Sequence, residues 1–161
     1  GRMSHRGVVP GHRAEQFPPA SAEIVERWAT FGKWADRMYF PKLVGLQMEE
    51  VRTDYCRMRM PFRPDIEQPA GVVHGGAIAT ILDTVVVPAV GSAYTAEHRY
   101  STVDLHVQYI AALVQEDGIA EGWIVKRGRS TVFCEAELVG ADSHKLIARG
   151  LLTYNVSAPR T

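Results

Sequence analysis

Net charge, clustered cysteines and a long unbroken apolar run are all missing from this sequence, and each absence excludes something. Lysine plus arginine equals aspartate plus glutamate, 18 each in 161 residues. No overall field therefore draws the chain to nucleic acid or to an anionic membrane. The two cysteines, Cys56 and Cys134, sit in strand-like segments with no second Cys or His at metal-ligand spacing. Neither a zinc site nor a disulfide framework can be read from them, and free core thiols in a reducing cytosol are the expectation. The most apolar stretch, near residue 80, is interrupted by Asp83 and Pro88, which makes it a poor membrane span. The first nineteen residues are polar and basic and lack the apolar core of a secretory signal. Internal repeats and low-complexity segments are absent too. A cytoplasmic protein with no nucleic-acid and no membrane partner is the expectation.

What is present is enough to build a core. A chain of this length fits one domain without metal or disulfide staples. Its 46% hydrophobic composition argues against wholesale disorder. Residues 1–19 carry three prolines, three glycines and four charges without apolar period, and read as a mobile or surface-hugging arm. From Ser21, an N-cap candidate, Ile24, Trp28, Phe31, Ala35 and Met38 recur at helical spacing, predicting a helix over about 21–39 that Pro41 ends. After Gly45 the period becomes two, with Cys56, Met58 and Met60 on one face of a strand. Pro61 to Pro69 reads as a loop.

A long apolar helix over about 75–93 follows, carrying apolar residues on most of its circumference, so it should be buried on nearly every side. Four alternating segments come next: Val103 to Tyr109, Ile119 to Val125, Val132 to Leu138 and Leu146 to Tyr154. Short turn signals at 115–118, 126–129 and 140–143 separate them, as antiparallel hairpins require. One strand, a buried helix and four more strands make an α+β plan in which a curved sheet wraps one helix. The domain is set at 20–156, with a tail at 157–161.

The chemistry concentrates at Gly71-Val-Val-His74-Gly75-Gly76 and at Asp83. From Val72 to Ala96 the ionisable side chains are His74, Asp83 and Tyr94. A charge inside so apolar a helix costs several kcal/mol unless it is paired or hydrated, roughly 2–7 kcal/mol even for a neutral polar group. Two readings of Asp83 stand side by side: a catalytic carboxylate, or a structural one bonded to a backbone or hydroxyl partner. It shares a helical stripe with Gly76, Ala79 and Thr80, at offsets of seven, four and three. Gly75 and Gly76 lie at a helix start, where backbone N–H groups lack internal partners and meet the positive end of the helix dipole. They either let a substrate oxyanion approach or simply permit a tight helix start.

His74-Gly75-Gly76 followed by Asp83, together with this order of elements, resembles the hotdog-fold thioesterases, specifically the phenylacetic-acid-pathway and 4-hydroxybenzoyl-CoA thioesterase-like group. The resemblance runs from about Phe40 to Tyr154 and includes Leu43-Val44-Gly45-Leu46, Ser101-Thr102-Val103-Asp104 and Gly128-Arg129-Ser130. It implies hydrolysis of an acyl-CoA thioester to a carboxylate and CoA. No cofactor or metal is implied, CoA being part of the substrate. A homodimer or a dimer of dimers with the site between subunits is implied as well. By the same resemblance Asp83 is the general base or nucleophile, and the Gly75 amide is the oxyanion donor, with Gly76 and Thr80 beside it on the substrate side. His74 shapes the turn and bonds a polar residue six positions earlier, commonly Asn but here Gln68. Thr102 stands where a hydroxyl orients the attacking water, although a Thr on a strand also fits β propensity. Lys126, Arg129 and Ser130, with Arg127, form a basic turn suited to the CoA phosphates. The Pro61–Pro69 loop and the N-terminal helix could cap the acyl pocket. The competing functions are a non-catalytic acyl-CoA binding module on the same fold and a hotdog dehydratase or hydratase.

Overall fold

In the computed structural model, residues 7–30 and 37–160 are described. Ser21 does cap a helix: its Oγ accepts the Ile24 N–H at 3.3 Å, and α1 runs over Ala22–Ala29. The single helix expected to residue 39 is corrected, because residues 37–39 are non-helical and a second helix, α2, spans Phe40–Val44. Phe31 and Ala35 lie outside the described residues. Pro41 does not end a helix; it sits in the first turn of α2, where a missing N–H costs no hydrogen bond. Gly45 closes α2 in the left-handed region at φ +87°, which glycine adopts without a Cβ clash.

Two strands, not one, precede the central helix: β1 (Gln47–Arg52) and β2 (Tyr55–Met60). Between them and the helix lie a short pair, β3 (Glu67–Gln68) and β4 (Val72–Val73), within the segment expected to be a plain loop and just after it. The central helix, α3, is Gly75–Gly91. It is followed by β5 (Arg99–Tyr109), β6 (Gly118–Arg127), β7 (Thr131–Gly140) and β8 (Leu146–Ser157). The six long strands form one antiparallel sheet in the order β1-β2-β6-β7-β8-β5. The expected β5–β6 hairpin is therefore absent. Because β6 is flanked by β2 and β7, β5 crosses to the far edge and pairs along its length with β8.

The concave face wraps α3. Ile81, Leu82, Val85, Val86, Ala89 and Val90 are wholly inaccessible, packed against Cys56, Met58, Val132, Cys134, Ala136 and Leu152. Each of the isoleucine, leucine and valine side chains contributes about 1.5–3 kcal/mol by leaving water. The helix passes so close to β6 at Gly122 that a Cβ there would stand 2.9 Å from the Cγ1 atoms of Val85 and Val86. Burial is not uniform around α3: Gly76 is exposed, and Ala79, Thr80 and Asp83 are half-buried on one stripe.

The N-terminal segment hugs the opposite face of the sheet. Ala14 is buried, Phe17 stacks on Tyr55 with ring centroids 5.4 Å apart, and the Arg13 guanidinium lies 4.1 Å over the Trp123 ring. Arg13 also pairs with the buried Glu137 at 2.8 Å, so this arm is docked by specific contacts and not by composition alone. Among the described residues no helix is long and apolar enough to cross a membrane.

Candidate functional site

The start of α3 is built by its own sequence. His74 occupies the N-cap in an extended conformation, and its Nδ1 accepts the Gly76 N–H at 2.8 Å, which puts any neutral-ring proton on Nε2. That bond consumes the Gly76 amide. The Gly75 N–H takes part in no hydrogen bond of the described residues. Of the two glycine donors, Gly75 is thus the one left open. Thr80 Oγ1 donates to the Gly76 carbonyl at 2.8 Å, tying the first turn to the second.

One residue that sequence reasoning placed here does not do what was expected. Gln68 makes no bond to His74; its Oε1 accepts the N–H of Ala70 at 2.6 Å and closes its own turn. The extra methylene relative to Asn lets the amide fold back on its own backbone. Gln68 still lines the hollow that contains Gly75, about 350 Å³ in volume, with Val72, Ile78 and Tyr109. The histidine is instead held through its backbone, whose N–H donates to the Ile66 carbonyl at 2.8 Å.

Asp83 lies two turns further along the same helix. Thr102 Oγ1 on β5 donates to its Oδ1 at 2.9 Å. Tyr154 on β8, which sequence reasoning treated only as a core strand residue, reaches the same oxygen at 2.5 Å and the Asp83 carbonyl at 2.7 Å. Burial, reinforced by the neighbouring Asp83 charge, pushes the Tyr154 hydroxyl well above its ordinary range, so it remains a donor. A tyrosine in the buried phase of a strand needs a partner for its hydroxyl, and this was the signal available. A hollow of about 180 Å³ opens at Asp83, lined by Phe40, Ala79, Thr80, Thr84 and Leu105. A neighbouring one of about 360 Å³ shares Phe40 and Thr80 and extends to His74 and Gly76.

The cysteines offer no nucleophile. Burial raises the Cys56 thiol well above its ordinary value and pushes Cys134 up to about 12, so both are neutral near pH 7.

A family model described as the thioesterase superfamily matches residues 70–147, the stretch that carries the helix start, Asp83 and Thr102. A thioesterase structure from Haemophilus influenzae superposes with a TM-score of 0.72 at 17% identity, covering 83% of this chain and 90% of that one. The chain has the hotdog fold of the thioesterase superfamily. Two sequence relatives of this hotdog domain are each 30% identical. One is a Halobacterium salinarum protein named "putative esterase", matched over 101 residues, 60% of this chain and 66% of its own. The other is acyl-coenzyme A thioesterase 13 of Mus musculus, matched over 87 residues, 53% of this chain and 61% of its own. The chain thus spans just under two thirds of the length of each.

The basic turn of the hotdog domain is divided between two tasks. Lys126, near the end of β6, and Arg129 and Ser130, on the β6–β7 connection, are exposed. Arg127 is committed inward: Nε and Nη2 donate to Asp54 Oδ1 at 3.0 and 2.7 Å, and Nη1 and Nη2 donate to the Val90 and Ala89 carbonyls at 3.0 and 2.9 Å. It closes the C-terminal end of α3. The turn therefore lies at the end of the helix opposite Gly75, with Asp83 midway between.

Proposed function

We propose that this protein hydrolyses acyl-CoA thioesters, with the Asp83 carboxylate as general base or nucleophile and a Gly75 N–H as the oxyanion donor. The observation that carries this reading is Asp83 itself: a carboxylate on the open stripe of an otherwise buried helix, bonded through Oδ1 and facing a hollow through the rest of its surface. A structural aspartate would need neither the hollow nor an open oxygen. In the general-base route Asp83 takes a proton from water as the water oxygen attacks the thioester carbonyl. In the nucleophilic route the carboxylate attacks and forms a mixed anhydride that water then opens. Both generate an oxyanion, which a helix-start N–H stabilises, and both release CoA as the leaving thiol.

The two groups cannot serve one carbonyl from the same chain. Eight residues separate Gly75 from Asp83, about 12 Å along an α-helix. Attack needs reacting atoms within about 3–3.5 Å, and an oxyanion donor sits about 3 Å from its oxygen. This distance supports a homodimer in which each Asp83 works with the Gly75 of the partner subunit. β5 supports it too, as an eleven-residue edge strand with one side unpaired. The hollows around Phe40 suit the acyl group, and the exposed Lys126, Arg129 and Ser130 suit the CoA phosphates. The acyl-CoA thioesterase named among the relatives favours the same substrate class.

The test is thiol release from a panel of short, medium, long and aryl acyl-CoAs, with Asp83→Asn beside the parent. Turnover that falls at least about a hundredfold in Asp83→Asn supports the reading. Tight acyl-CoA binding by calorimetry with no turnover would instead favour a non-catalytic binding module.

A further inference from the structure

Thr102 and Tyr154 face each other across the β5–β8 ladder, and both hydroxyls point at the same oxygen of Asp83. We infer that Tyr154 is the positioning residue of this site: together with Thr102 it locks Asp83 Oδ1, fixes the plane of the carboxylate and leaves Oδ2 as the reacting oxygen. The reacting-oxygen part rests on the hydrolase reading above; the positioning part stands on geometry alone.

The two hydroxyls are not equivalent. Tyr154 is 2% exposed, held in the core beneath α3, and its ring has few ways to move. Thr102 is exposed and its hydroxyl can turn toward water. Tyr154 therefore supplies the permanent bond and Thr102 the exchangeable one. The single Tyr154 proton goes to the carboxylate, the stronger acceptor, while the oxygen rests 2.7 Å from the Asp83 carbonyl.

Little else acts on the carboxylate. The side chains around it from α2, α3 and β5 are Phe40, Ala79, Thr80, Thr84, Thr102 and Leu105, none of which titrates in the working range. From β7 the titratable group near Tyr154 is the Cys134 thiol, which burial keeps neutral. Among the described residues the ion pairs lie elsewhere, on the outer face of the sheet, within α1 and at Arg127–Asp54.

The experiment is a carboxyl-carbon NMR titration of the full-length protein labelled at aspartate, with the Asp83 signal assigned by its loss in Asp83→Asn. In Tyr154→Phe the Asp83 pKa should rise by about one to two units, the effect of removing one hydrogen bond to a charged group. The acid limb of the kcat/KM profile should move by the same amount, with kcat falling about tenfold and KM changing less than about threefold. Should that variant fail to fold, uniform 3-fluorotyrosine replaces it: the more acidic phenol is a stronger donor, and the Asp83 pKa should fall below that of the parent. An unmoved Asp83 titration in a folded Tyr154→Phe protein, or under fluorotyrosine, overturns the inference and leaves Tyr154 a core residue. Because the titration needs no substrate, a protein that hydrolyses no acyl-CoA would sink the proposed function without touching this result.

Discussion

Tyr109 donates its hydroxyl to the Gly75 carbonyl at 2.7 Å, and its ring lies 3.3 Å from where a Cβ on Gly75 would stand. β5 thereby grips the first residue of α3 and narrows the approach to its amide. Gly75→Pro isolates that amide. Proline is well suited to the first helical position, and His74, at φ −60° and ψ 135°, already has the conformation that a following proline requires. Since Tyr109 is largely exposed and can shift, stability should change by less than about 1 kcal/mol in urea denaturation. Turnover should fall about a hundredfold, the usual cost of losing one oxyanion donor. Mixing Gly75→Pro with Asp83→Asn chains then tests whether the site is shared. Roughly half the dimers would be mixed, each with one of two sites intact, restoring about a quarter of the parent activity. Recovery indistinguishable from zero after verified subunit exchange would rule the shared site out.

Arg127 is a structural residue in spite of its place in a basic turn. Arg127→Met leaves Asp54 unpaired and the Val90 carbonyl without its donor, while the Ala89 carbonyl keeps the Ser92 hydroxyl. A loss of about 2–4 kcal/mol of unfolding free energy in chemical denaturation is expected, with kcat unchanged where the protein is fully folded. Arg127→Lys should recover little of it, since an ammonium cannot span the carboxylate and both carbonyls.

Phe40 borders both hollows beside Asp83 and is itself 60% exposed. Phe40→Ala should scarcely affect folding, while shifting preference toward bulkier acyl groups. The ratio of kcat/KM for long over short acyl-CoAs should rise about tenfold, the scale of one or two methylenes in an apolar pocket. An unchanged ratio would place the acyl group elsewhere.

Glu116 provides a pH prediction. Burial opposes its ionisation, but the Ser143 and Asp142 N–H groups at 3.0 and 2.9 Å outweigh that and hold its carboxyl below the ordinary value of 4.5. A depressed folded pKa stabilises the protein above the unfolded value, and that stability is lost as pH falls through the folded one. Urea midpoints measured from pH 6 to pH 3 should therefore decline, and Glu116→Gln should flatten part of that decline. At pH 7 the variant should cost only about 0.5–1 kcal/mol, because the site is partly solvated.

Much of this was legible in the sequence because alternation and apolar period report burial directly. The phases of β2, β7 and β8, and the burial of α3, follow from them. β1 was not legible: of Gln47–Arg52 only Val51 is buried, and the strand is held by its ladder to β2 and by α1. Nor was the place of β5 at the sheet edge, since local turn signals carry no information about which neighbour an edge already has. At the site, the helix start and Asp83 were visible as anomalies in an apolar run. Tyr154 was not, because its partner lies 71 residues away and a tyrosine among core residues reads as core. Gln68 misled because its amide satisfies its own turn.

The two ends of α3 are treated unequally, and this gives a net-neutral chain a local polarity. Hydrogen bonds from Arg127 close the negative pole, while at the positive pole one N–H of Gly75 stays open to the hollow. An α-helix concentrates about half an elementary charge at each terminus. An anionic visitor therefore meets the positive end of the helix dipole on the Gly75 side, while Asp65 and Glu67 line the neighbouring hollow at His74 and Gly76. Attraction of this kind acts over roughly a Debye length, so capture of a charged molecule should weaken with added salt even though no excess of lysine or arginine would suggest it.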